Sequence, residues 1–127
     1  MAHYSRLFKV VIDVPPAEHD RELAFWNAAV GQPLTQFERH PEYHGAMLPG
    51  QDFGPLIQRL GQGQAGVHVD IHTDDLPGPF GAQFFQPGHL GGQAHSWQLM
   101  RDPAGLVFCV IPQPPGTLDD SNARRWD

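Results

Sequence analysis

Apolar and polar residues alternate in the segment VHVDIHTDDL, at residues 67–76. Successive side chains of a β-strand point to opposite faces, so the apolar residues share one face and the polar residues share the other. The apolar set is Val67, Val69 and Ile71, and the polar set is His68, Asp70 and His72. The pattern predicts a strand over 67–73 with one packed face and one polar face.

A hairpin is predicted at the end of this half of the chain. Two apolar runs, at 96–101 and 106–111, are separated by the four residues DPAG at 102–105. Asp at the first position, Pro at the second and Gly at the fourth are typical of a type I turn. We therefore expect two antiparallel strands joined by this turn.

The first half of the chain predicts a strand, a helix and three short strands. The β-branched run at 7–14 ends at two prolines, and apolar residues at helical spacing follow over 17–30, with Gly31 suited to closing the helix. Short strands are expected at 35–38, 45–48 and 56–60, between turns rich in Pro, Gly and Asp.

Two segments carry weaker patterns. A helix over 76–92 would repeat the order of the first half, but the prolines and glycines in that segment disfavour a regular helix. Residues 113–127 are first rich in Pro and Gly and then polar, without periodicity. We expect this C-terminal tail to lie on the surface or to be disordered.

Three segments in order carry a family resemblance: FKVVIDV at 8–14 leading to LAFWNAAVG at 23–31, VHVDIHTDDL at 67–76, and WQLMRDPAGLVFCVIP at 97–112. Together they resemble the vicinal oxygen chelate superfamily of glyoxalases, bleomycin-resistance proteins and dioxygenases, specifically its glyoxalase-like branch. The resemblance implies an α+β fold of paired βαβββ modules forming a curled, cup-shaped mixed sheet, with the second-module helix degenerate. It implies one domain over 1–112, with modules at about 6–61 and 66–112.

The resemblance also implies where a metal would bind. In metal-dependent members, one inward side chain from each of the first, fourth, fifth and eighth strands binds a divalent ion. On this chain the positions fall at Lys9, Gln58, His68 and Cys109. A lysine ammonium has no lone pair, and Cys109 stands where metal-binding members have Glu. We therefore expect no metal cofactor; the alternative is zinc, manganese, nickel or iron bound by His68, Gln58 and Cys109.

Several of these side chains are candidates for ligand binding or catalysis. His68 and Asp70 lie about 6.6 Å apart on one face of the predicted strand, so both can line one site as acid and base. An inward Lys9 could bind an anionic ligand, or it could extend to solvent. The candidate ligand-binding residues are Lys9, Gln58, His68, Asp70, His72 and Cys109.

Structural roles are the alternative for each of them. His68 could be a hydrogen-bonded core histidine, and Asp70 and His72 could lie on a solvated sheet face. Cys109, within a hydrophobic strand, could be a small core residue. Arg59 is expected to face outward, opposite to Gln58 on its strand. The remaining histidines considered, His40, His44, His89 and His95, are expected in loops.

Composition limits the partners. The formal net charge is −6, from 14 acidic and 8 basic residues, and no basic cluster is present, so we expect no nucleic acid partner. The single cysteine excludes an intrachain disulfide, and no apolar run is long enough to span a bilayer. With no signal-like segment at the N-terminus, a cytoplasmic location is expected.

Three functional hypotheses follow. The first is a metal-independent domain that binds a small organic molecule, as the drug-resistance members of the superfamily do. The second is an enzyme: a lyase, isomerase or dioxygenase with an atypical metal shell including His68, or a metal-free enzyme using His68 and Asp70. The third is a degenerate domain that serves for association, since the family pairs modules across dimer interfaces. A homodimer is expected from the resemblance.

Overall fold

The computed structural model describes residues 3–50, 53–74, 83–90, 93–114 and 116–126. Within these residues the chain is α+β, with a single α-helix and a mixed sheet of parallel and antiparallel strands. The strands are β1 His3–Val14, β2 Thr35–Gln36, β3 Tyr43–Gly45, β4 Gly54–Arg59, β5 Gly66–Thr73, β6 Gln83–Leu90, β7 Gln93–Arg101, β8 Val107–Pro112 and β9 Arg124–Trp126. A short 3-10 helix, Pro16–Glu18, precedes the α-helix α1, His19–Val30.

The chain divides into two compact units. The N-terminal unit is Lys9–His68, and the C-terminal unit combines Met1–Phe8 with Val69–Asp127. The cuts fall inside strands β1 and β5, so each of these strands contributes residues to both units. Among the described residues, no helix has the length and apolar character required to cross a bilayer.

In the N-terminal unit the strand order is β2-β3-β4-β1. Strand β4 runs parallel to β1, and their register places Asp13 opposite Gln58. Helix α1 ends at Gly31, whose φ of 80° is a left-handed conformation that a residue with a Cβ rarely adopts. The buried residues Val14, Leu34 and Ile57 form the core of this unit, and side chains of α1 pack against them.

In the C-terminal unit the strand order is β1-β5-β8-β7-β6, with β1 represented by its first residues. Strands β5 and β8 are parallel, and their register places Asp70 opposite Cys109. Strand β7 is antiparallel to both β8 and β6. Met100 and Val110 are buried at the centre of this unit, where β7 and β8 pair.

The expected order of strand, helix and three strands in the first half is confirmed, with shifted boundaries. Strand β1 begins at His3 rather than at residue 7, and β3 lies at Tyr43–Gly45 rather than at 45–48. Gly54 begins β4, two residues earlier than expected. The β-branched and apolar runs located each element correctly, whereas the ends depend on pairing that the local sequence does not encode.

Strand β6 was not expected, because Pro87 and Gly88 indicated a loop. The structure pairs Gln83–Leu90 antiparallel with β7, and the register shifts between Pro87 and His89. Strand β6 lies at the end of the strand order, and proline is tolerated on an edge strand or at a bulge because no ladder hydrogen bond is lost there. The rest of the 76–92 segment, for which a degenerate helix was predicted, is residues 76–82 and 91–92, and these lie outside the described residues.

The C-terminal tail is more ordered than expected. Arg124–Trp126 form β9, which pairs antiparallel with His3, Tyr4 and Ser5 of β1. Leu118, in the middle of the tail, is buried. Most of the described tail residues, including Arg124 and Arg125, are exposed, so the expected surface position is confirmed, with Leu118 as an exception. The alternative of a disordered tail is wrong for β9, because a three-residue strand next to a polar stretch leaves no recognisable period in the sequence.

The turn between β7 and β8 is confirmed, and Asp102 is its main support. One carboxylate oxygen, Oδ1, accepts hydrogen bonds from the backbone N–H groups of Ala104 at 3.0 Å and Leu106 at 2.7 Å. Gly105 follows with a φ of 91°.

We predict that Asp102→Ala lowers the free energy of unfolding by about 1–2 kcal/mol, because two backbone donors lose their acceptor. Asp102→Asn is the matched control, since it retains an acceptor oxygen at the same place. Urea unfolding of the three proteins measures the effect. Equal losses in the Ala and Asn variants would contradict this role for the carboxylate oxygen.

Candidate functional site

The polar face of β5 is the more buried face of the strand. Asp70 is 7% exposed and His72 is 6% exposed, whereas Val67 on the apolar face is 67% exposed. The expectation that Val67 packs in the core is therefore wrong, and so is the alternative that Asp70 and His72 lie on a solvated face. Buried polar side chains are costly unless they make hydrogen bonds or bind a ligand, so this face is the first candidate for a functional site.

His68 is held by an aspartate on β1. Its ring nitrogen Nδ1 lies 2.7 Å from Oδ2 of Asp13, and the side chains are 15% and 19% exposed. An ionised carboxylate only accepts hydrogen bonds, so Nδ1–H of His68 is the donor. In the neutral ring this leaves Nε2 with a lone pair, which can accept a proton or bind a ligand. Sequence analysis missed Asp13 as a site residue, although its position on the same face of β1 as Lys9 was a usable signal.

The second carboxylate oxygen of Asp13 has no such contact. Within the described residues, Oδ1 is buried and has no hydrogen-bond partner. A buried carboxylate oxygen without a donor is unusual in a folded protein, where nearly all such atoms are hydrogen-bonded. The Asp13 carboxylate can therefore accept a hydrogen bond from a molecule other than the chain itself.

Lys9 and Gln58 lie on the two parallel strands of the N-terminal unit. Lys9 is buried, at 5% exposure, and its Nζ lies 3.1 Å from Sδ of Met47, so the alternative of a solvent-directed lysine is wrong. Gln58 is half-buried opposite Asp13, while Arg59 is exposed, as expected. An ammonium and an amide bring hydrogen-bonding capacity to this side of the sheet, but the ammonium is no metal ligand.

Cys109 pairs with Asp70 in the C-terminal unit. Its thiol is free and buried, and the residue lies directly opposite Asp70 in the parallel register of β5 and β8. The predicted core position of Cys109 is thus confirmed, and the register also brings it next to a carboxylate.

His72 is held in place by Arg6 and Phe8. The Nε of Arg6 donates a hydrogen bond of 3.2 Å to Nδ1 of His72, and the rings of Phe8 and His72 stack with centroids 3.7 Å apart. Since Nδ1 is the acceptor, the proton of a neutral His72 ring lies on Nε2. These contacts favour a structural role for His72.

Strands β5 and β8 carry three side chains of the types that bind metal ions. Asp70 and Cys109 lie opposite each other in the C-terminal unit, and His68 precedes Asp70 by two residues on β5. Imidazole, carboxylate and thiolate are all zinc ligands, and a carboxylate that fixes the second nitrogen of a ligating histidine is a common supporting contact. These three donor types therefore fit a metal, and Asp70 replaces the predicted Gln58 beside His68 and Cys109 in the candidate ligand set.

The remaining histidines are not all in loops. His40 lies in a loop as expected, but His44 belongs to β3, His89 to β6 and His95 to β7, so the expectation is wrong for these three. Glycines and prolines near them suggested loops, although short and edge strands tolerate both residues.

Comparison with known families gives one match. A family model described as a glyoxalase-like domain matches residues 9–111, most of the chain. The chain belongs to the glyoxalase-like domain family. This family is part of the vicinal oxygen chelate superfamily, so the resemblance found in the sequence is confirmed. The match extends from Lys9 on β1 to Ile111 on β8 and thus includes every residue of the candidate site described above except Arg6 and Phe8. Comparison with curated proteins gives no significant match.

Proposed function

We propose that this glyoxalase-like domain binds a small organic molecule at Asp13 and His68, without the divalent metal used by many members of its superfamily. The observation that carries the proposal is the buried Oδ1 of Asp13, which has no donor within the described residues. The other oxygen of the same carboxylate holds His68. A ligand that donates a hydrogen bond would satisfy Oδ1 of Asp13, on the same carboxylate that holds His68.

The chemistry of these atoms limits the ligand. A buried carboxylate oxygen suits a hydroxyl, amide or amine donor, and an aromatic or apolar body would suit the pocket of a drug-resistance protein of this superfamily. Lys9 could bind an anionic substituent of the same ligand. Gln58, Asp70, His72 and Cys109 complete the candidate ligand-binding set.

The proposed site lies within the N-terminal unit, where β1 carries Asp13 and β5 carries His68. The order β1-α1-β2-β3-β4 in the N-terminal unit supports the first module, and the four strands β5–β8 support the second. The proposed assembly is a homodimer, as expected from the resemblance.

A metal-dependent lyase, isomerase or dioxygenase is the second candidate. It is favoured by the metal-ligand side chains on β5 and β8. His68, Asp70 and Cys109 would hold the ion, and Asp13 would orient His68. A bound divalent ion would act as a Lewis acid that polarises an oxygen of the substrate. The same residues without an ion allow a metal-free enzyme in which His68 accepts a proton from the substrate.

Elemental analysis separates the two candidates. Protein purified without chelator or affinity tag is analysed by inductively coupled plasma mass spectrometry, together with His68→Ala. The metal-free proposal expects no zinc, manganese, nickel or iron that depends on His68. Near-stoichiometric metal in the wild type that is absent from His68→Ala would overturn it in favour of the enzyme with an atypical metal shell.

Ligand binding is tested with matched compounds. We predict that some substituted phenols raise the Tm of the wild type, while the methyl ether of each phenol, which lacks the donor, has a smaller effect. His68→Ala should reduce this difference, because the Asp13 carboxylate then loses the imidazole that holds its other oxygen. His40→Ala, in a loop, should retain it. Equal Tm shifts from phenols and ethers in the wild type would contradict donation to Asp13.

A further inference from the structure

A pair of histidine rings lies outside the site described above, within the N-terminal unit. His19 is the first residue of α1 and is 7% exposed, and His44 lies on β3. Their ring centroids are 5.1 Å apart and the ring planes meet at 54°. The rings are therefore neighbours without being stacked face to face, and they connect the start of the helix to a strand.

Each of the two rings carries a buried nitrogen that lacks a hydrogen-bond partner in the part of the chain described. These atoms are Nε2 of His19 and Nδ1 of His44. Buried polar atoms without partners are rare in folded proteins, and each one calls for a bound water, ion or ligand. Two such atoms on neighbouring rings are most simply explained by one shared occupant.

The spacing of the rings matches a metal bridge. Zinc binds imidazole nitrogens at about 2.0–2.1 Å with tetrahedral angles, and two imidazoles on one such ion have ring centres about 5 Å apart. The observed 5.1 Å agrees with this value. We propose that His19 and His44 bind a divalent transition-metal ion, preferably zinc, through these two nitrogens, with water completing the coordination.

The surroundings keep both rings available as ligands. Burial is the largest cause that lowers the pKa of His44, and the nearby charges of His19 and Arg59 lower it further, while Asp20 opposes them. A lowered pKa keeps His44 neutral near pH 7, as a metal ligand must be. The carboxylate of Asp20 lies 3.4 Å from Nδ1 of His19, which favours a proton on that nitrogen and leaves the lone pair on Nε2.

The charge of Arg59 and the small number of protein ligands limit the affinity for zinc. Arg59 repels a cation, and two protein ligands are fewer than the four of an ordinary structural zinc site. We therefore expect a moderate affinity, sufficient to link α1 to β3 when zinc is present. Binding should raise the Tm of the protein, since an ion that binds only the folded state stabilises it.

The test distinguishes zinc binding by His19 and His44 from zinc binding by side chains on β5 and β8. The full-length chain carrying His68→Gln and Cys109→Ala serves as the parent, and zinc binding is measured after chelator treatment by competition with a chromogenic zinc indicator. The parent should bind one zinc ion. Adding His44→Gln or His19→Gln should weaken binding at least about tenfold, while adding His40→Gln should leave it unchanged. Unchanged affinity in the folded His44→Gln and His19→Gln variants would overturn the proposal.

A second measurement needs no substitution. Zinc is titrated into the wild-type protein while the nitrogen resonances of the histidine rings are followed by NMR. The proposal expects Nε2 of His19 and Nδ1 of His44 to shift together with one saturation curve. If these two nitrogens do not move while other histidines bind the ion, or if none moves at all, no zinc occupies the pair and the proposal fails.

Discussion

Gly54→Ala should destabilise the protein by about 3 kcal/mol or more, at the upper end of what overpacking costs. A Cβ on Gly54 would lie 1.7 Å from the backbone oxygen of Ala46 and 2.8 Å from its carbonyl carbon. Both are backbone atoms, so no side-chain rotation relieves the overlap. Hydrogen bonds on either side, from Ala46 N to Pro55 O and from Leu48 N to Phe53 O, hold the opposing segment close to β4.

Gly66→Ala is the matched control for this prediction. Gly66 begins β5, its φ lies outside the left-handed region, and an added Cβ would meet no atom within 4 Å. We expect its free energy of unfolding to stay within about 1 kcal/mol of the wild type. Urea unfolding of both variants gives the comparison. If Gly54→Ala proves as stable as Gly66→Ala, the close approach of β4 to residue 46 is incorrect.

Gly54 also matters for the site, because it fixes where β4 begins. The register places Gly54 opposite Lys9 and, four residues later, Gln58 opposite Asp13. A local shift of β4 would change its backbone pairing with β1, the strand that carries Asp13. We therefore expect the extra Cβ to disturb the contact between Asp13 and His68 as well as to lower the free energy of unfolding.

The first half of the fold was predictable because its signals are local. The β-branched run before Pro15 and Pro16 marks β1, and Gly31 marks the end of α1 by its backbone conformation. The turn at Asp102 was predictable for the same reason, since one side chain supports it within four residues. Each of these signals acts over a few residues, so the sequence contains it in full.

The parts that sequence analysis missed depend on distant partners. Alternation along β5 divided the strand into two faces correctly. The polar face, rather than the apolar face, is the more buried one, because the neighbours of Asp70 and His72 come from other strands. Strand β6 forms on a sheet edge despite Pro87, a tolerance that only the strand order explains. The contact between Asp13 and His68 joins residues 55 positions apart.

His19 shows the same limit at the level of single residues. Sequence analysis assigned no chemical role to His19, near the start of the predicted helix, and it placed His44 in a loop. The two rings meet only because β3 includes His44 and α1 begins at His19. Side-chain chemistry that arises from such tertiary contacts is not encoded in any local pattern.

Asp13→Ala should lower ligand affinity by about 10- to 100-fold, because hydrogen bonds to charged groups contribute about 1.5–3 kcal/mol. The substitution removes the acceptor of Nδ1–H of His68 and the buried Oδ1 together. The His68 ring then loses the contact that fixes its proton on Nδ1. We expect the nitrogen resonances of His68 to change from one tautomer to a mixture, which NMR measures directly.

Two further variants show whether the charge or the oxygen of Asp13 is responsible. Asp13→Asn retains an acceptor oxygen for Nδ1–H of His68 but lacks the charge. A loss of ligand affinity smaller than that of Asp13→Ala would indicate that the charge and the oxygen both contribute. Asp20→Ala removes an exposed carboxylate beside a different histidine, His19, and should leave His68 unaffected. If Asp13→Ala leaves the His68 resonances and the preference for phenols over their methyl ethers unchanged, Asp13 does not position His68.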